Sequence, residues 1–126
     1  SPITTVNGYA INGGTLVAVG KDIYETPVMN SKNYTICLKL KDIINKDSVL
    51  SLMNKDNKEI LTFQAADDTN SIILSSKDIT KGIYSLLKDG ESSGTLNNSV
   101  YSIGSFIGGT IVDNNIEVTG KITAKK

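Results

Sequence analysis

Val49–Ser76, VLSLMNKDNKEILTFQAADDTNSIILSS, is the stretch whose reading decides the fold. It reads strand, turn, strand, turn, strand. Val49–Met53 is apolar and β-prone, and Asn54–Lys58 is a polar turn with no apolar residue. Ile60–Gln64 alternates around Leu61 and Phe63, Ala66–Asn70 is a second polar turn, and Ile72–Leu74 is a third apolar run. Loops this short join antiparallel neighbours, because a parallel return needs a crossover of about a dozen residues or more. The stretch therefore predicts a β-meander.

Working outward, Asn33–Leu40 alternates cleanly. Tyr34, Ile36, Leu38 and Leu40 point one way, and Thr35, Cys37 and Lys39 the other, which is the pattern of a half-buried strand with one wet face. Cys37 then reads as a partly exposed thiol on that wet face. Lys41–Asp47 has room for one helical turn. Towards the N-terminus, Ile3–Val6, Tyr9–Ile11 and Thr15–Val19 are brief β-prone runs cut by Asn7-Gly8, Asn12-Gly13-Gly14 and Gly20. Asn and Gly supply the positive φ of tight corners. That rhythm fits a β-solenoid rung over residues 1–20, and it fits an ordinary hairpin equally. Pro27 and its polar neighbours mark 21–32 as a loop. Towards the C-terminus, Ile83–Leu87, Val100–Phe106 and Thr110–Val112 read as strands, with breaks at Gly108-Gly109 and Asp113-Asn114. Ile116–Thr123 alternates, with Ile116, Val118 and Ile122 on one face. Gly13–Val17 and Gly108–Val112 echo one another, as two edge strands flanking the meander would. Lys-Asp recurs six times at predicted loops and strand ends, where it reads as solvated turns.

Composition excludes more chemistry than it suggests. The chain has 126 residues, 13 lysines, no arginine, no histidine and a formal net charge of zero. That is the size of one domain able to bury a core without metal or disulfide staples. A chain without histidine has no Ser-His-Asp or Cys-His nucleophile and no His-ligated zinc. One without arginine has no bidentate guanidinium clamp. Zero net charge argues against nucleic acid, which selects a basic face. No apolar run approaches the roughly 20 residues that span a bilayer, so membrane insertion is not expected. The single cysteine, Cys37, has no internal disulfide partner. Abundant Gly, Ser, Thr and Asn with no Trp tip the reading towards an extracellular or cell-surface protein of bacteria that do without disulfides. Starting at Ser1 with neither Met nor a signal-peptide pattern, the chain reads as an excised module, with any targeting segment upstream.

Paired carboxylates could serve a glycosidase, but Asp67-Asp68 are adjacent, and Glu25, Glu59, Glu91 and Glu117 lie on separate elements. Asp67-Asp68-Thr69-Asn70 could gather oxygens around calcium. It lacks the order of an EF-hand loop, and a plain Asx-rich turn explains it as well. Sugar binding presents aromatic faces beside polar groups. Tyr34 and Tyr84 fall on apolar faces, whereas Tyr9, Tyr24 and Tyr101 stand in or beside loops. Tyr24 has Glu25 beside it, and Tyr101 follows the Asn97-Asn98-Ser99 turn. If the two echoed Gly-Gly-Thr strands were neighbours, these loops would meet at one end of the module. Tyr24, Glu25, Asn98 and Tyr101 are the candidate ligand-binding residues, and no catalytic or metal-binding residue is assigned.

NGGTLVAVG at 12–20 with Glu25-Thr26-Pro27, DNKEILTF at 56–63 and SIILSS at 71–76 occur together with Lys81-Gly82, Ser93-Gly94-Thr95 and Gly108-Gly109-Thr110. In this order they resemble the C-terminal region of secreted bacterial proteins described as carbohydrate-binding domain-containing. In those proteins a right-handed parallel β-helix, similar to polysaccharide lyases, precedes this region. The resemblance implies an upstream β-helix domain and an association with cellulose and acidic plant polysaccharides. It also implies calcium along that β-helix, for which no motif here carries over. Lyase-like chemistry in that fold leans on arginine, which this chain lacks.

The expected fold is all-β, a mainly antiparallel sandwich over 33–123 built on the meander, with a β-helix-like rung at 1–20, in one domain. The expected function is that of a non-catalytic extracellular module binding, or helping to present binding to, plant-type polysaccharide. The alternative is a structural cap or assembly module of a secreted or cell-surface β-solenoid protein, covering its exposed strand edges.

Overall fold

A computed structural model describes residues 14–21 and 32–125, together with the backbone of 8–12. Its described residues hold strands and no helix: β1 (Gly8–Asn12), β2 (Thr15–Gly20), β3 (Tyr34–Ile44), β4 (Val49–Asn54), β5 (Glu59–Gln64), β6 (Thr69–Ser76), β7 (Gly82–Ser92), β8 (Leu96–Asn97), β9 (Val100–Tyr101), β10 (Phe106–Val118) and β11 (Ile122–Lys125). They form two sheets, ordered β1-β2-β6-β3-β11 and β10-β7-β4-β5-β9-β8. Every pairing is antiparallel except that of β11 with β3. The fold is thus the expected all-β, mainly antiparallel arrangement of sheets. One core joins them: Val19, Ile36 and Leu74 from the first sheet meet Leu52, Phe63 and Leu86 from the second. Each such side chain contributes about 1.5–3 kcal/mol by leaving water.

The three runs of Val49–Ser76 all form strands, but their pairing is not that of a meander. β4 and β5 make the expected hairpin. Its turn is built by Asn54, whose Oδ1 accepts the N–H groups of Asp56 at 2.9 Å and Lys58 at 3.0 Å, and by Asn57 at φ 61°. β6 then leaves for the other sheet, between β2 and β3. Packed sheets lie about 10 Å apart, a distance the few residues of 65–68 cover easily. The crossing is fixed at Ala65, fully buried, whose N–H donates to Ser48 O at 2.9 Å and whose carbonyl accepts from Asp47 N–H at 2.8 Å. In its new place β6 is the central strand of five. Ile72 and Leu74 enter the core, and Ile73 is buried on the opposite face. An unbroken Ile-Ile-Leu run belongs to such a strand, covered on both sides.

Four further expectations change. The N-terminal rung is not found: β1 and β2 pair antiparallel as a hairpin, in register from Gly8↔Val19 to Asn12↔Thr15, while Ile3–Val6 lies outside the described residues. The outer face of β3 is not wet at Thr35, which is fully buried, because it stands opposite Ser75 while Cys37 stands opposite buried Ile73. Lys41–Ile44 is strand, not a helical turn. Its register jumps from Lys39↔Ser71 to Ile44↔Thr69, so a bulge absorbs the polar residues. Finally, 116–123 is not one strand. β10 ends at Val118, and β11 joins the other sheet beside β3, leaving Ile122 exposed.

Gly108-Gly109 and Asp113-Asn114 do not break the chain either. β10 runs through both, with Gly108 and Gly109 at φ 76° and 88° and register shifts around Asp113. As a result the two Gly-Gly-Thr strands lie in different sheets.

Asn98 and Ser99 form the two-residue turn between β8 and β9, at φ 51° and 67°. A type I′ turn favours Asn then Gly, and Ser carries the left-handed penalty of about 1–2 kcal/mol. Set against the larger chain entropy of glycine, about 0.5–1 kcal/mol, Ser99→Gly is expected to stabilise the fold by about 0.5–1 kcal/mol. Urea unfolding would show this as a higher midpoint at an unchanged slope.

Candidate functional site

The sandwich has one end where its loops converge, set by the crossover at 65–68. Gly20, the last residue of β2, is held there by Thr69: Gly20 N–H donates to Thr69 Oγ1 at 2.9 Å, and Thr69 Oγ1 donates to Gly20 O at 2.7 Å. The β8–β9 turn is held at the same end, with Gln64 N–H donating to Ser99 O at 2.8 Å. Asn98 is exposed in that turn, and Tyr101 is half-buried two residues beyond it. Val100 turns into the core opposite Phe63, so strand alternation sends Tyr101 to the outer face. Tyr24 and Glu25 lie outside the described residues. Asn98 and Tyr101 therefore share the β8–β9 hairpin, and the echoed strands do not unite the loops.

The segment carrying Tyr101 folds across the outer face of the second sheet. Ser93 N–H donates to Ser105 O, and Ser102 N–H to Thr95 O, both at 2.9 Å. Gly94 has to be glycine, since a Cβ there would meet Ser102 O at 1.9 Å. Beneath it lies a buried polar chain that sequence reading did not single out. Glu59, 6% exposed, accepts from Gly104 N–H through Oε1 at 2.9 Å and from the Thr62 hydroxyl through Oε2. Thr62 Oγ1 lies 2.7 Å from Ser51 Oγ. No local signal sets Glu59 apart: Asp42 also stands at the start of an apolar run, and it is exposed.

Glu59 also lines an open hollow of about 320 Å³ with Asn54, Lys58, Asp78 and Ile103. This puts two carboxylates on one hollow, but both oxygens of Glu59 already accept hydrogen bonds from their own chain. Asp67 and Asp68 are engaged likewise, Asp67 Oδ1 by Asp68 N–H and Asp68 Oδ1 by Lys46 N–H, each at 2.8 Å. Through Lys46, Asp68 ties the crossover to the loop at 45–48. Among the described residues, no group of three His, Cys, Asp or Glu side chains could hold a metal ion.

A second hollow, of about 250 Å³, opens at the seam between the sheets, lined by Leu40, Lys41, Asp42 and Ile44 of β3, Lys88 of β7 and Thr110–Val112 of β10. Cys37 is half-buried, and burial pushes its thiol up from 9.0 to about 11, away from the reactive range.

The chain matches no known protein family, no characterised protein and no solved structure. The site therefore stands on its own geometry.

Two outcomes follow. Glu59→Ala should cost about 1–3 kcal/mol, because Thr62 and Gly104 lose a buried acceptor, and amide hydrogen exchange should accelerate at 102–105 ahead of the core strands. Each pKa unit is a factor of ten in thiolate, so Cys37 in the folded chain should alkylate at least about tenfold more slowly than a free thiol at pH 8. Its rate should climb with pH towards about 11. The neutral thiol is the form that folding favours, so its contribution to stability is complete below pH 9.0 and is lost as pH rises through about 11.

Proposed function

We propose that this is a non-catalytic extracellular module that binds, or helps to present, plant-type polysaccharide at the crossover end of its sandwich. The observation that carries the reading is the placement of Asn98 and Tyr101. An exposed amide and a half-buried phenol ring sit on a turn pinned to the core through Val100 and Gln64. Loops on a rigid β scaffold are where binding groups concentrate, and a ring with amide neighbours can stack on a sugar and hydrogen-bond its hydroxyls. β2 also ends here, at Gly20, four residues of sequence before Tyr24 and five before Glu25. The sequence resemblance to secreted carbohydrate-binding proteins, with an upstream β-helix in the same parent chain, points the same way. Calcium has no part in this reading.

The second reading is a structural cap or assembly module. It is favoured by the edge of the second sheet, where Phe106–Val112 of β10 carries no charge and leaves Ile107 71% and Ile111 58% exposed. Uncharged apolar edges invite a covering partner.

Affinity electrophoresis against cellulose, pectate and xylan separates the two. Binding predicts retardation by at least one polymer, with Tyr101→Ala weakening it roughly tenfold, about 1.4 kcal/mol, and Tyr24→Ala doing the same. Folded protein that none of the three retards would remove the first reading. Deleting the module from its parent should then give an aggregating remainder with intact sugar affinity if it is a cap.

A further inference from the structure

We infer that the open seam between β3 and β10 is a docking groove for an extended, acidic peptide segment of a partner protein, a role separate from polysaccharide binding at the crossover end.

The seam is closed only in part. β11 lies beside β3 from Thr35 to Leu38 and no further. At its end Lys125 reaches across to β10, with Nζ 3.0 Å from Asp113 Oδ1 and 2.6 Å from Asn115 O. Just past this bridge the hollow of about 250 Å³ begins. Its aliphatic wall is Leu40, Ile44 and Val112, all packed on the core. It contains no aromatic ring, so it offers nothing for a sugar face to stack on. Its volume suits one or two side chains, not a whole drug-sized ligand.

Two further properties select a peptide. The first is backbone: both walls are bulged. β3 breaks its ladder with β6 between Lys39 and Ile44, and β10 breaks register with β7 between Ile111 and Asp113. Bulged residues leave main-chain N–H and C=O groups out of the ladder, and an extended chain satisfies such groups. The second is charge. Lys88 lies on the core-facing side of β7, opposite Leu50 and Thr110, and it is half-buried in the groove. Its ammonium makes no hydrogen bond or ion pair with any described residue. Lys41 and Asp42 stand at the rim, both exposed and neither paired with a described residue. The groove therefore carries a net positive charge, centred on an unpartnered cation over an apolar wall. A carboxylate arriving between apolar neighbours would pair with Lys88 under partial desolvation, where charge-assisted bonds are strongest.

The probe is a fluorescein-labelled, end-capped octapeptide of alternating valine and glutamate, titrated with the full chain by fluorescence anisotropy. A valine–lysine octapeptide is the charge-reversed control. Saturable binding of the acidic peptide is expected, with the Ile44 and Ile111 methyl signals shifting in NMR. Lys88→Met, which keeps the aliphatic stem, should weaken binding about tenfold or more, with amide spectra confirming the fold. Lys41→Gln, at the rim, should weaken it by only about two- to threefold. The inference is overturned if the acidic peptide fails to bind at about 1 mM, if both peptides bind equally, or if Lys88→Met binds like the parent chain. It is equally overturned if an oligogalacturonate displaces the peptide and proves the tighter ligand, or if the groove is taken up by self-association at the same concentrations.

Discussion

Ala65 gives both of its backbone groups to the loop at 47–48, and that pair of hydrogen bonds sets the architecture. A buried main-chain group without a partner costs about 1–3 kcal/mol, so the chain cannot slide through the interior at this point. It is held where one sheet ends and the other begins. β5 stays with β4, β6 crosses to the centre of the opposite sheet, and the inner faces of both close on Phe63, Leu52, Ile36 and Leu74. The loops that end at Gly20 and turn at Ser99 are then tied to the same end through Thr69 and Gln64. Scaffold and candidate site share one origin.

Local structure was legible in the sequence wherever the cause was local. Alternation at 34–40 identifies the inner face of β3, and Asn54 with Asn57 announces the first hairpin turn. Pairing was harder. A short polar loop says only that two strands are antiparallel, and strands stacked across a sandwich satisfy that as well as strands hydrogen-bonded side by side. Turn-forming residues were the second source of difference. Gly108-Gly109, Asp113-Asn114 and Lys41-Asp42 carry the chemistry of turns, yet all lie within strands, the last two where the register shifts and the glycines at positive φ. Positive φ, as at Gly108-Gly109, or backbone groups outside the ladder, as at the two bulges, suit both settings. Of the candidate site, Asn98 and Tyr101 were reachable because loop tyrosines and Asn-rich turns are visible as residues. Glu59 and Lys88 were not, because nothing local tells a buried or unpartnered charge from the solvated ones around it.

The two sheet edges on the seam side are managed differently. β11 shields β3 over four residues and is pinned by Lys125 to Asp113. Among the described residues, β10 has no strand beyond it. Its bulges and its two left-handed glycines twist that edge away from the flat geometry that promotes edge-to-edge stacking. Shape, not charge, protects its apolar half, and this leaves Ile107 and Ile111 in the open without presenting a regular template.

The parallel pairing of β11 with β3 also bears on the order in which the molecule is completed during synthesis. Residues 49–92 supply β4, β5 and β7, neighbours in one sheet, soon after they leave the ribosome. β3 emerges earlier still, yet one of its sides stays bare until Ile122–Lys125 has been made, some 85 residues later at about 5–20 residues per second. For those seconds neither sheet is complete, since the second still awaits β8, β9 and β10. Ile122–Lys125 acts as the closing piece, and its arrival determines when the exposed side of β3 stops being available to a neighbouring chain.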